Sequence, residues 1–423
     1  MHQTDPPLRV SAAADQADLR RAHLGLVLRS LRDHGPRSRS RLAAELGLTR
    51  ASASSLVGDL EELGLVRRGA RERGAVGRPG TSVELVGKRV CGIGAEINVD
   101  HVAALAVDLT GTVIAESRRG LDGRTLGPAA VVAELCALLV EILGEVGDQG
   151  VAPSGVTVGV AGIVDAHTQV VRLAPNLDWR DQPVAAMLED QLGAAGVRGL
   201  PVVLDNEANL AAIAEIDPVD PDRSDMVVLF GEVGVGGGVV ADGRLLRGRH
   251  GWAGELGHMI VDPQGRPCGC GRVGCWESVI GLHALLDAAT DPDDPVRDPS
   301  LALEHRLDEI ADRARRDDTR TLAALQTVGS WLGRGAAGLV NTLDPGVVVL
   351  SGYFASLGAW LQPVVEEQLH AGVLAPHAGR TRVVLSTLGP TAAVRGGALV
   401  ALESVFTDPT AVPGAPVLNG AAR

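Results

Sequence analysis

The sequence predicts an α/β protein in which a small, basic, helical domain precedes a larger body of two strand-rich lobes. Three observations carry this expectation. The net charge of −13 is unevenly placed: residues 20–89 hold 15 Lys and Arg against 7 Asp and Glu, whereas residues 90–423 hold 23 against 42. The basic segment has apolar residues at helical spacing, broken by glycine-containing turns. The body opens twice with the same strand-rich pattern, once near Val90 and again near Met226.

Each element of the basic segment can be justified in order. "HLGLVLRSLRDHG" is a helix that stops at His34-Gly35-Pro36. Ser38 is placed to cap a short helix, "RSRLAAEL", which ends at Gly47. Thr49 is placed to cap a third, "RASASSLVGDLEEL". On that helix Ala53, Leu56, Val57, Leu60 and Leu63 form an inward stripe, leaving Arg50, Ser52, Ser54 and Ser55 outside. Two helices across a short turn, the second small and polar in its N-terminal half, match a helix-turn-helix. "GLVRRGARERGAVGRPGTSVEL" then reads as strand, basic loop and strand, a wing with Arg78 at its tip. Small outward side chains let a helix sit deep in a major groove. The candidate DNA-contacting residues are Arg50, Ser52, Ser54 and Arg78. A helical protein-binding module shares the first part of this pattern, but the wing and the local charge favour a double-stranded polyanion.

The body reads as α/β throughout. "VCGIGAEINVDHVAALAVDLTGTVIAESRRGL" contains three short apolar runs separated by turn residues, a β-meander. A helix is expected from about Pro128 to Val146, then the strand "GVTVGVAGIVD". "DMVVLFGEVGVGGGVVADGRLLRG" repeats the opening logic, so two lobes with a cleft between them are expected. No uninterrupted apolar run approaches the ~18 residues of a membrane span, and the N-terminal residues lack an apolar signal core. No membrane is expected, and the expected compartment is the cytoplasm, where thiols stay reduced. The expected boundaries are 1–19 disordered, 20–87 winged helix-turn-helix, 88–406 two-lobed body, and 407–423 a disordered tail.

The most chemically specific stretch is "CGCGRVGCWE", three of the five cysteines within eight positions, ten residues after His258. His258, Cys268, Cys270 and Cys275 supply one imidazole and three thiolates, the donor set of a tetrahedral zinc site. Gly269, Gly271 and Gly274 give the backbone the freedom to bring three sulfurs together. Four protein donors leave no position for water, so a structural Zn2+, one per chain over the loop 258–275, is expected. It would pin the loop bearing Glu255 and Glu277. Cys91 and Cys136 lie in apolar patterns and read as core residues.

"GWAGELGH", "CGCGRVGCWE", "GVGGGV" and the N-terminal winged helix together resemble the ROK family of repressors, open reading frames and kinases, most like its xylose-repressor branch. The resemblance implies a two-lobed actin-like ATPase (ribonuclease H-like) fold, a sugar in the cleft, a structural zinc, and a homodimer or homotetramer. "LDNEANLAA" is similar to the family's Asn-Asp-Ala-Asn, which places Glu207 at the kinases' general-base position beside Asn206. By the same resemblance Asn206, Glu207, Glu255, His258 and Glu277 contact a sugar, with Asn176 of "APNLDW" as a further contact. Acids and amides are what a polyol needs, since a carboxylate accepts several hydroxyl bonds. The family's kinases open with a strand and Asp-x-Gly-Gly-Thr. Matched to "GIGAE", this sets Gly92 at the Asp, Ala95 at the second Gly and Glu96 at the Thr, while Val233 stands where the second glycine loop usually has Thr. A carboxylate where a triphosphate lies repels it. The implied function is a sugar-responsive transcriptional regulator with no catalytic residue, acting on operator DNA that is an inverted repeat. The alternative is an active ATP-dependent sugar kinase with an attached DNA-binding domain.

Overall fold

The computed structural model describes residues 16–71, 81–217, 220–298, 301–374 and 381–412. They divide into two compact units, 16–86 with 403–412, and 87–402.

In the first unit, helices Gln16–His34, Arg39–Glu45 and Arg50–Glu62 pack beside a three-stranded antiparallel sheet. Its order is Arg37–Ser38, Thr81–Leu85, Val66–Arg71. Leu24, Val27, Leu28, Leu42, Ala53, Leu56, Val57, Leu60 and Leu65 are buried, and Leu63 is half-buried. Gly35 ends the first helix with φ +74°, a value few side chains tolerate. Thr49 caps the third helix by accepting from the Ser52 amide at 3.1 Å. Ser38 precedes the second helix but caps nothing; its hydroxyl instead meets that of Ser40 at 3.2 Å.

The domain boundaries differ from the sequence expectation at both ends. The first helix begins at Gln16, within the stretch expected to be disordered. Residues 407–412, expected to begin a disordered tail, form the end of helix Ala392–Thr407 and the turn Pro409–Ala411. Residues 403–412 belong to the first unit because they pack on its first helix. Arg29 donates to Glu403 at 2.9 Å, and the guanidinium of Arg32 lies 4.7 Å from the Phe406 ring centroid. A Cβ on Gly25 would fall 2.1 Å from the Phe406 carbonyl oxygen, so only glycine permits this approach.

The second unit contains two five-stranded sheets built on one plan. The first runs Val202–Asn206, Ala152–Val160, Val90–Ile97, His101–Asp108, Val113–Gly120. The second runs Arg244–Leu245, Val235–Ala241, Met226–Gly231, Val347–Gly352, Arg382–Leu385. Each is an antiparallel meander extended by parallel strands on the far side of its first strand. This is the duplication anticipated from the two strand-rich openings. Helix Gly123–Asp148, capped by Asp122, covers the first sheet. It starts earlier than expected, with Gly127 at φ +75° ahead of Pro128. It is long and apolar enough to cross a membrane, but its apolar face is buried in the lobe's core. Helices Leu282–Ala289, Thr319–Leu343 and Gly358–Gly372 fill the core of the second lobe. Helix Ala392–Thr407 presses its 394–402 stretch onto strand Val90–Ile97: a Cβ at Gly92 would lie 2.1 Å from the Ala398 carbonyl oxygen, and one at Gly94 1.6 Å from that of Val394.

Candidate functional site

The cysteine loop is closed by its own backbone. Cys268 N donates to Arg272 O, Val261 N to Gly274 O, and Trp276 N to Met259 O, at 2.8–2.9 Å. Gly271 and Gly274 adopt φ of +86° and +80°, and a Cβ on Gly274 would sit 1.8 Å from the Asp262 carbonyl oxygen. Those two glycines are required; Gly269 has open space and no positive φ. The loop ends on Trp276, fully buried, whose indole donates to Trp331 O at 2.9 Å. It lies against Gly335, where a Cβ would come within 2.2 Å of the ring.

This fold draws His258, Cys268, Cys270 and Cys275 together, with one donor atom of each within 4.8 Å of the others. Cys268 Sγ is 3.8 Å from His258 Nδ1, and Cys270 Sγ is 3.6 Å from Cys275 Sγ. A tetrahedron with Zn–S of about 2.3 Å and Zn–N of about 2.0 Å has edges of roughly 3.5–3.8 Å. Those two separations match such edges, so the four donors could hold a metal ion of that kind. All five cysteines are free of disulfides, and Cys91 and Cys136 are buried in the first lobe.

Beside the loop lie the residues matched to sugar contacts. Glu277 Oε2 accepts from the Val235 amide at 2.9 Å, which ties it to the glycine turn of the second lobe. A Cβ on Gly234 would lie 2.8 Å from Glu277 Oε2 and 3.3 Å from Asn176 Nδ2, so glycine there lets Asn176 and Glu277 face the same point. Asn176 sits in the short helix Pro175–Leu177. Asn206 ends strand Val202–Asn206 and caps helix Glu207–Ala214, its Oδ1 accepting from the amides of Ala208 and Asn209 while Nδ2 donates to Gly162 O at 2.9 Å. Much of its hydrogen-bonding capacity is thus structural. Glu207 follows it into the cleft. Burial pushes its carboxyl well above the usual range, and the negative charges of Glu96, Glu255 and Glu277 push the same way. Burial also raises Glu255, an effect that His258 opposes and Glu277 reinforces.

The structure adds residues that sequence reasoning missed. Strand Val90–Ile97 runs past Gly92, which lies mid-strand beneath helix Ala392–Thr407 with no room for a carboxylate. The carboxylate at the cleft end of the strand is Glu96, and the turn that follows is Asn98–Asp100. Asn98 Nδ2 donates to Glu96 Oε1 at 3.1 Å and also to Glu232 Oε2 across the cleft. Glu232 lies in the turn between strands Met226–Gly231 and Val235–Ala241. Burial raises its carboxyl well above the ordinary range, with Glu96 and Glu207 adding to the shift. Only the acidic residue beside "VGVGGGV" hinted at this, since Glu232 and Glu96 follow strands of two different sheets and meet only where those sheets face one another.

On the first unit, Arg50, Ser52 and Ser54 are exposed on the third helix. Arg50 forms no ion pair among the described residues, whereas the Ser52 hydroxyl is held by Thr49 at 2.8 Å. Ser55 accepts from Arg20 at 3.0 Å. Arg78 lies outside the described residues.

Residues 92–404 match the ROK family, and residues 25–75 match the MarR family. The chain is 26% identical to a xylose repressor of Bacillus spizizenii over 92% of its length and 97% of that protein. It is 32% identical to a glucokinase of Halalkalibacterium halodurans over 57% of its length and 74% of that protein. Among solved structures, a ROK family transcriptional regulator, homolog of the E. coli MLC protein, aligns with a TM-score of 0.72 at 22% identity, covering 92% of this chain and 97% of that one.

Proposed function

The chain belongs to the ROK family, and from that premise we propose that it is a sugar-responsive transcriptional repressor whose cleft is an effector receptor and not a kinase site. The observation that carries this reading is the pairing of two halves of the cleft. On one side, Asn176 and Glu277 converge at Gly234 beside Glu207, Glu255 and His258, a set suited to sugar hydroxyls. On the other, Glu96, Asn98 and Glu232 fill the turn where a nucleotide's phosphates belong. Two carboxylates there oppose a polyphosphate, and Asn98 has its amide committed to both. Glu207 keeps the general-base position but serves, in this reading, as an acceptor for a sugar hydroxyl.

His258 has two roles in this assignment. With Nδ1 turned toward Cys268, Nε2 is the nitrogen left to meet a sugar, so metal and sugar share one imidazole. The zinc is structural and positions Glu255 and Glu277. The winged helix reads an inverted-repeat operator through Arg50 and Ser54 and, at the wing, Arg78. A homodimer or homotetramer supplies the two-fold symmetry, and the protein acts in the cytoplasm with the DNA.

Likeness to a glucokinase over 74% of that enzyme favours one alternative, an active sugar kinase carrying a DNA-binding domain. A coupled assay of ADP release over a panel of sugars separates the two. The repressor reading expects no sugar-dependent turnover above background. Turnover at ~1–10³ per second, the usual range for enzymes, would overturn it.

A further inference from the structure

We propose that Glu61 is an internal stand-in for a DNA phosphate: it holds Arg39 and Arg68 at the root of the wing, and a backbone phosphate of the duplex takes its place when DNA binds. This rests on the operator-binding reading and adds to it a residue that limits affinity. Arg39 Nη2 donates to Glu61 Oε1 at 3.0 Å, and Arg68 Nε donates to the same oxygen at 3.4 Å. Arg39 opens the second helix, Arg68 lies in strand Val66–Arg71, and Glu61 is near the end of the third helix, so three elements converge on one oxygen. Two guanidiniums on one carboxylate leave a positive charge unbalanced. A guanidinium carries five N–H donors, and each of these two arginines uses one of them on Glu61. Phosphate offers more oxygens than a carboxylate and matches the arginine fork.

A second observation gives such an anion room. Arg39 and Arg68 border a hollow of about 270 Å³ whose other walls are Ser38, Ser40, Thr81, Ser82 and Val83. Ser40 and Thr81 are exposed, and among the described residues no acidic side chain lines the hollow. Hydroxyls beside guanidiniums are donors suited to an anion.

The geometry of the third helix favours the DNA backbone over a free anion. Arg50 and Glu61 are eleven residues apart on it, about 16 Å at ~1.5 Å per residue. A major groove is ~12 Å wide. With the Arg50 end among the bases, the Glu61 end lies at the edge of the groove, where the phosphates run. For a phosphate to enter, both ion pairs to Glu61 must break, so this carboxylate lowers affinity for DNA. Phosphates carry no sequence information, and the effect is therefore the same on every sequence.

The test measures binding of the full-length protein to a random-sequence duplex across a salt series, for wild type and for Glu61→Gln, Glu62→Gln, Arg39→Ala and Arg68→Ala. Glu62 is the charge control, because it is next in the same helix, exposed, and forms no ion pair among the described residues. Glu61→Gln should bind about 3–10-fold tighter than wild type at low salt, since two partly exposed ion pairs no longer oppose the exchange. Glu62→Gln should gain clearly less. Arg39→Ala and Arg68→Ala should each weaken binding and flatten the salt slope, by about 1 for a lost phosphate contact. Should Glu61→Gln fail to fold, the slopes of the two arginine variants decide the matter. A Glu61→Gln protein that binds no tighter than Glu62→Gln, or arginine variants with unchanged slopes, overturns the exchange. Saturable binding of inorganic phosphate to wild type without DNA, abolished by Arg39→Ala, would make the hollow a receptor for a free anion and overturn it as well. Wild type that binds no duplex at any salt would sink the DNA reading and this site together, so the two failures are distinguishable.

Discussion

Cys270→Ser replaces one thiolate of the cluster with a hydroxyl, a far weaker ligand for zinc. Three donors would remain, and the loop's own hydrogen bonds would not hold Glu255 and Glu277 as firmly. Purified wild type should carry about one zinc per chain by mass spectrometry of the native protein, and the variant markedly less. Full zinc occupancy in Cys270→Ser would remove it from the ligand set. At this scale the sequence was most informative where chemistry depends on short spacing. His258 and the three cysteines are close because their loop is short, and the structure brings them together. Glu232 was not legible, because its relation to Glu96 spans 136 positions and depends on how two sheets face one another. The packing of Gly92 was hidden for a related reason. "GIGAE" contains two glycines that resemble a phosphate turn, yet Gly92 and Gly94 are required because a helix backbone from the far end of the chain lies on them.

The third helix of the first unit separates stability from recognition. Thr49 caps it through the Ser52 amide, so Thr49→Ala should lower unfolding stability by ~1 kcal/mol. Arg50 is exposed and pairs with no acidic side chain among the described residues. Arg50→Ala should therefore leave the melting temperature nearly unchanged. If Arg50 reads a base, the same change should cost ~1–3 kcal/mol of operator binding and relax preference at one position. Thermal melts and operator titrations at fixed salt check both; a large stability loss in Arg50→Ala would contradict the assignment. The helices and inward stripe of this unit were readable from periodicity and caps, since they are local. Its last piece was not. Nothing in residues 403–412 announces that Phe406 will sit under Arg29 and Arg32, because that contact pairs opposite ends of the chain. Phe406→Ala removes a buried aromatic and the partner of two guanidiniums, and should destabilise the protein by ~3–5 kcal/mol. Unchanged stability in that variant would show that this end does not complete the unit.

For the whole molecule, the question is whether a sugar in the cleft and an operator on the winged helix feel one another. Both ligands bind one chain, so any difference in operator affinity caused by sugar is a coupling free energy, and it must be reciprocal. A coupling of ~1–3 kcal/mol corresponds to ~5–150-fold in affinity. Glu255 is the residue best suited to test it. It lies beside His258 and Glu277, in a different unit from the basic helices, so its loss should act on sugar alone. Glu255→Ala should abolish the sugar response while leaving sugar-free operator binding nearly as in wild type. The measurement is operator affinity at a single salt concentration, since the phosphate contribution varies steeply with salt, with and without saturating sugar, for both proteins. The companion measurement is sugar affinity with and without operator, which must change by the same factor. A sugar that binds the cleft and leaves operator affinity unchanged would end the sensor reading, and a response that survives in Glu255→Ala would move the effector site elsewhere.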